Sequence, residues 1–146
     1  MGQILLFRLG EDAFGLEVTL LQEVVDHPSL HYLPRAPEHF LGAINVHGQV
    51  LPVLDLAGHL GYPAGRRSER YLVLAPGICA LALAVDSVGR IVTPDEPEED
   101  GAASSSAVAG EGEVLCGGIG IRLLDVEQLR ASLERIFYGT GGQHGI

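Results

Sequence analysis

Along the chain, apolar residues gather in short runs rich in Val, Ile and Leu, and glycine or proline separates most of these runs. Short runs of this kind bounded by turn formers read as strands. The pattern predicts strands over 3–9, 13–17, 22–26, 43–46, 50–55, 70–74, 78–85, 88–92 and 119–124. One segment departs from it. Val126, Leu129, Leu133, Ile136 and Phe137 recur at helical spacing, which places one apolar stripe on a helix. Asp125 suits the N-cap and Gln128 completes a capping-box-like pair. The helix is therefore expected over 125–138, ended by Gly139, with 140–146 as a frayed tail.

The chain also resembles itself. A shift of 67 residues lays Ile4-Leu5-Leu6-Phe7 over Tyr71-Leu72-Val73-Leu74, and Leu16, Val18, Leu21, Val24 and Val25 over Leu83, Val85, Val88, Ile91 and Val92. At a shift of 70, Gly48, Leu51, Val53, Leu54, Asp55 and Leu56 meet Gly118, Ile121, Leu123, Leu124, Asp125 and Val126. Order is kept throughout, as in a true repeat. The fold expected is mainly β: two tandem small β-barrel subdomains, over 1–60 and 70–125, with the helix packed on both in one domain over 1–139. Each half is near the size at which a domain fails to stand alone, so the two should share a core. The segments 61–69 and 94–112 interrupt this plan, and the second, with its acidic run and Ser104-Ser105-Ser106, is expected to be disordered.

Composition narrows the function. At 146 residues, 47% hydrophobic and 19% charged, with a mean hydropathy of +0.25, the chain has the material for one core. Nine arginines, no lysine and 19 acids give a net charge of −10, the wrong sign for a nucleic-acid partner. The Arg66, Arg67 and Arg70 cluster reads as a solvated loop. Cys79 and Cys116 are too few for a disulfide framework and read as reduced core residues. The longest apolar run, 78–85, is far shorter than the roughly 20 residues that span a bilayer. No signal-peptide core is visible, so no membrane insertion is expected and the cytoplasm is the expected compartment.

Candidate chemistry is sparse. Asp55 and Asp125 could pair as catalytic acids, but each follows a strand in equivalent repeats and reads as a helix cap, and Asp86-Ser87 reads alike. His27, His31, His39, His47 and His59 are the best case for a small metal-dependent hydrolase. Pro28 between the first two and the lack of a His-Glu-x-x-His pattern argue against a metal site. Gly118 and Gly120 lack the third glycine of a dinucleotide fingerprint.

Pro34-Arg35-Ala36-Pro37 is followed by Gly42-Ala43-Ile44-Asn45-Val46-His47-Gly48-Gln49-Val50-Leu51-Pro52-Val53-Leu54-Asp55-Leu56, and Glu23-Val24, Val85-Asp86-Ser87-Val88 and Leu124-Asp125-Val126 stand in order around it. In these motifs, over residues 3 to about 135, the chain resembles the CheW-like family. The resemblance implies paired five-stranded barrels with a C-terminal helix, and an adaptor with neither catalytic activity nor cofactor. It implies two partners, the cytoplasmic tip of a chemoreceptor and the regulatory domain of a CheA histidine kinase. The protein-binding residues carried over are Glu23, Val24, Asn45, Val46, His47, Gly48, Val85, Asp86 and Val88. The family's usual arginine is His47 here; an arginine grips a carboxylate with two hydrogen bonds, a histidine with one. A Glu23–His47 pair is expected in its place. A CheW-like module in a non-chemotactic pathway is the alternative within the family.

Overall fold

Alternation along each run gives a strand one buried face, and the computed structural model, which describes residues 2–63, 65, 67–96 and 112–143, realises most of the predicted runs. The strands are β1 (Ile4–Leu9), β2 (Asp12–Glu17), β3 (Leu21–Asp26), β4 (Phe40–Val46), β5 (Gln49–Asp55), β6 (Arg70–Leu74), β7 (Ala82–Ala84), β8 (Ser87–Val92), β9 (Glu113–Cys116) and β10 (Ile119–Leu123). A 3-10 turn, Val18–Leu20, links β2 to β3, and the helices are α1 (Leu56–His59) and α2 (Val126–Gln143). The run predicted over 78–85 keeps only β7, because Pro76-Gly77 starts a turn in which the Ile78 and Cys79 N–H groups donate to the Ala75 carbonyl. β9 is a strand that the apolar pattern missed; Gly117-Gly118, at φ +59 and +78, turns it back onto β10. Gly139 does not stop α2, since a glycine only costs a helix about 1 kcal/mol, and the expected tail begins as helix. Most of the expected disordered loop, 97–111, and the end of the tail, 144–146, lie outside the described residues.

The ten strands form two five-stranded sheets, in the orders β8-β1-β2-β10-β9 and β3-β6-β7-β5-β4. The predicted division at residues 60–70 does not separate them. Each half keeps its opening hairpin, β1-β2 or β6-β7, in one sheet and sends its last three strands into the other. The repeat itself holds residue by residue. Leu5↔Ile91 and Phe7↔Val88 in one sheet become Leu72↔Val24 and Leu74↔Leu21 in the other, a shift of 67 with the register irregularity at the same place. The parallel pairings agree as well: Leu123↔Gly15 answers Val53↔Ala82.

The expected barrels are curled sheets, because among the described residues no ladder joins β9 to β8 or β4 to β3. A segment after each edge strand crosses the gap instead. Beyond β8, the Asp95 N–H donates to the Leu115 carbonyl at 2.7 Å. The Asp95 carboxylate then accepts from the Gly117 and Gly118 N–H groups at 2.9 Å each. Beyond β3, His31 and Ala43 exchange two backbone bonds of 2.8 Å.

Between the sheets lies the main core. Leu5, Phe7, Leu9, Phe14 and Leu16 meet Leu54, Leu72, Leu74 and Leu83 there, and Val126, Leu129 and Leu133 bring α2 into the same cluster. A second cluster fills the curl of the second sheet. Arg67, expected on a solvated loop, is 15% exposed and ties the assembly together. Its guanidinium meets Asp55 Oδ1 at 2.6 Å and Asp86 Oδ1 at 2.9 Å, and Asp86 Oδ2 accepts from the Gly10 N–H at 2.6 Å. Asp55 ends β5 of the second sheet and Gly10 turns β1 into β2 of the first, so one arginine spans both. Two carboxylates converge on Arg67, and this is why it leaves solvent.

Arg67→Ala should strand both carboxylates and cost about 3 kcal/mol in urea unfolding, whereas Arg70→Ala, an exposed pair with Asp26, should cost at most about 0.5 kcal/mol. The two amides on Asp95 hold its carboxyl below the ordinary value of 3.8, so the contact contributes above that value and is lost as pH falls through the lower folded one. The Gly117 and Gly118 amide shifts in NMR spectra should therefore stay constant from neutral pH down to about 4 and move only below it, with no such movement in Asp95→Asn.

Candidate partner-binding site

The β4–β5 hairpin carries the densest group of candidate residues. Val46 pairs with Gln49, leaving His47-Gly48 as a two-residue loop at φ +51 and +85. Two positive φ values in succession define the type I′ turn, whose twist suits a tight hairpin. The Asn45 side-chain oxygen accepts from the Gly48 N–H at 2.9 Å and secures the turn. His47 is 73% exposed, and its Nε2 lies 2.8 Å from Glu23 Oε1. β3 and β4 are opposite edges of one sheet, so this contact, 24 positions apart in sequence, also marks where the sheet's edges curl together.

The expected residues separate into groups. Glu23, Asn45, His47 and Gly48 form one surface cluster. Val50, facing Asn45 across the hairpin and 68% exposed, adds apolar area that sequence reasoning had assigned only to a strand. The alternation Val50, Leu51, Pro52, Val53, with Leu51 and Val53 buried, was the available signal. Val46 and Val85 are core residues, because β4 turns Val46 into the second cluster and Val85, just after β7, packs into the main one. Val24 and Val88 are half-buried against the main core. Asp86 caps no helix and is committed to Arg67 and Gly10.

A family model described as a CheW-like domain matches residues 3–134. The chain belongs to the CheW-like family. It is similar to the chemotaxis protein CheW of Rhizobium meliloti (strain 1021), 27% identical over 139 residues that span 91% of this chain and 90% of the relative. A chemotaxis protein CheW of Treponema pallidum (strain Nichols) is 23% identical over 145 residues, 90% of this chain and 84% of the relative. Among solved structures, the scaffolding protein TtCheW of Thermoanaerobacter tengcongensis superposes with a TM-score of 0.67 at 26% identity, covering 85% of this chain and 88% of that one.

Other potential chemistry in this CheW-like chain is dispersed. His27 Nδ1 meets Glu69 at 2.6 Å, and His59 Nε2 lies 3.0 Å from the Ser132 hydroxyl. Burial first, and His39 second, hold His59 below its ordinary pKa. Among the described residues no three His, Cys, Asp or Glu side chains converge as a metal site. Asp55 and Asp125 accept from the Gly58 and Gln128 N–H groups as helix caps.

The turn is open to test. His47→Val puts a β-branched side chain at φ +51 and should cost about 1–2 kcal/mol in urea unfolding, while His47→Asn should stay within about 0.5 kcal/mol of the parent because asparagine tolerates this conformation.

Proposed function

We propose that this CheW-like chain is a non-enzymatic adaptor of bacterial chemosensory signalling that works in the cytoplasm and couples a chemoreceptor tip to the regulatory domain of a CheA histidine kinase. The carrying observation is the Glu23–His47 contact on a rigid hairpin, standing where the family places its carboxylate–arginine pair. Recognition residues are commonly held this way, on a loop fixed by a scaffold. Among the described residues no helix is long and apolar enough to cross a membrane.

The receptor is assigned to Glu23, Asn45, His47, Gly48 and the adjoining Val50, with the half-buried Val24 at the margin. Of the candidates Val85, Asp86 and Val88, the half-buried Val88 is assigned to a kinase contact, since Val85 is buried and the Asp86 carboxylate is engaged by Arg67 and Gly10. The change from arginine to histidine removes one of two possible hydrogen bonds to an acidic partner.

Titration calorimetry against the cognate kinase regulatory domain and against a receptor-tip fragment tests both arms. Glu23→Ala should weaken receptor binding by about tenfold and leave kinase binding unchanged, while His47→Arg should strengthen the receptor arm by about threefold. Binding to neither cognate partner would refute the proposal.

A further inference from the structure

The repeat supplies an internal control that exposes a difference between the two sheets. In the second sheet, Val46, Leu51 and Val73 are buried and fill the curl with their neighbours. Their counterparts in the first sheet are Cys116, Ile121 and Leu6, and there the curl holds a half-enclosed cavity of about 660 Å³. Leu6 and Cys116 are only half-buried. Ile119, at 64% exposure, stands at the rim where its counterpart is the polar Gln49. Small barrels normally fill their interiors with side chains, and a cavity of this size lies within the range that holds small ligands.

The charges at the cavity differ in the same way. Arg90 is the counterpart of Glu23, and Gly117 is the counterpart of His47. Where the second sheet pairs a carboxylate with an imidazole, the first sets a guanidinium beside a glycine, and both residues line the cavity. Among the described residues Arg90 has neither an ion pair nor a side-chain hydrogen bond. Arg8, also in the wall, donates only to the Glu11 carbonyl oxygen at 3.2 Å. Among the described residues neither cation has a carboxylate partner, and both stand over a mostly apolar chamber.

We propose that this cavity binds a small amphiphilic carboxylate of the medium-chain fatty-acid class, with its tail against Leu6, Ile119 and Ile121 and its head group on Arg90 and Arg8. Both halves of the site are needed. The apolar wall removes the tail from water, and a guanidinium holds a carboxylate with two parallel hydrogen bonds.

Cys116 in the wall provides a reporter. Burial and, secondarily, Asp95 raise its thiol pKa, so alkylation is followed at mildly alkaline pH in the full chain carrying Cys79→Ser. Dodecanoate should slow modification of Cys116 by N-ethylmaleimide saturably, and Arg90→Gln should raise the half-protecting concentration by about tenfold. Dodecyltrimethylammonium should not protect at the same concentrations. Absence of protection, equal protection by the cationic amphiphile, or indifference to Arg90→Gln would each overturn the proposal. Protection that grows with protein concentration and needs no amphiphile would assign the cavity to a second copy and overturn it equally. Should Cys79→Ser fail to fold, calorimetric titration of dodecanoate into the unmodified chain and into Arg90→Gln decides between the same outcomes.

Discussion

Neither half of the chain owns a complete sheet, and the rest of the molecule follows from that constraint. β1-β2 gains its edges only from β8 and β10, and β6-β7 only from β3 and β5. Isolated hairpins are marginal in water, so each half supplies what the other lacks. The apolar seam between the sheets, with Phe7 and Phe14 stacked at 5.6 Å between ring centroids, is where this exchange becomes favourable. α2 then closes one side of the seam with Val126, Leu129 and Leu133. Arg67 performs a related task with charge, since its carboxylate partners sit at the ends of different strands and one of them reaches the opposite sheet.

A shared architecture leaves the surface free to diverge. The crossing segments occupy equivalent places in the two sheets but use different chemistry: backbone exchange between His31 and Ala43 in one, a carboxylate on two glycine amides in the other. At the hairpin tips the divergence is one of charge, with Glu23 and His47 answered by Arg90 and Gly117. One tip is compensated within the protein, and the other has its cation exposed beside apolar walls. An adaptor benefits from such asymmetry, because two related ends that bound alike could not tell their partners apart.

Much of this was legible in the sequence, and the limits have physical causes. The repeat, the helix and the capping roles of Asp55 and Asp125 rest on local periodicity and local hydrogen bonds, which a linear chain displays directly. The exchange of strands does not, since the apolar alternation of β8 states that it has a buried face without naming β1 as its neighbour. Arg67 was misread for the same reason: nothing beside Ser68 announces two carboxylates from residues 55 and 86. Val46 is a different case, open between core and contact on sequence alone. It shares parity with Ile44 in β4, and in the structure that parity places it inside. The Glu23–His47 contact came from family resemblance and not from spacing, because a pair drawn from opposite sheet edges has no local signature.

The exchanged topology also sets a timetable for synthesis. The β1-β2 hairpin leaves the ribosome with both of its edges unpaired, and β8 follows only after β3 to β7 have been made. At about 5–20 residues per second, that interval lasts on the order of several seconds. Until the second sheet has assembled, Leu5, Phe7 and Phe14 have no apolar surface against which to hide. The nascent second sheet can assemble first, because β3 to β7 are contiguous in the chain, and it then presents the apolar surface on which the earlier hairpin can wait.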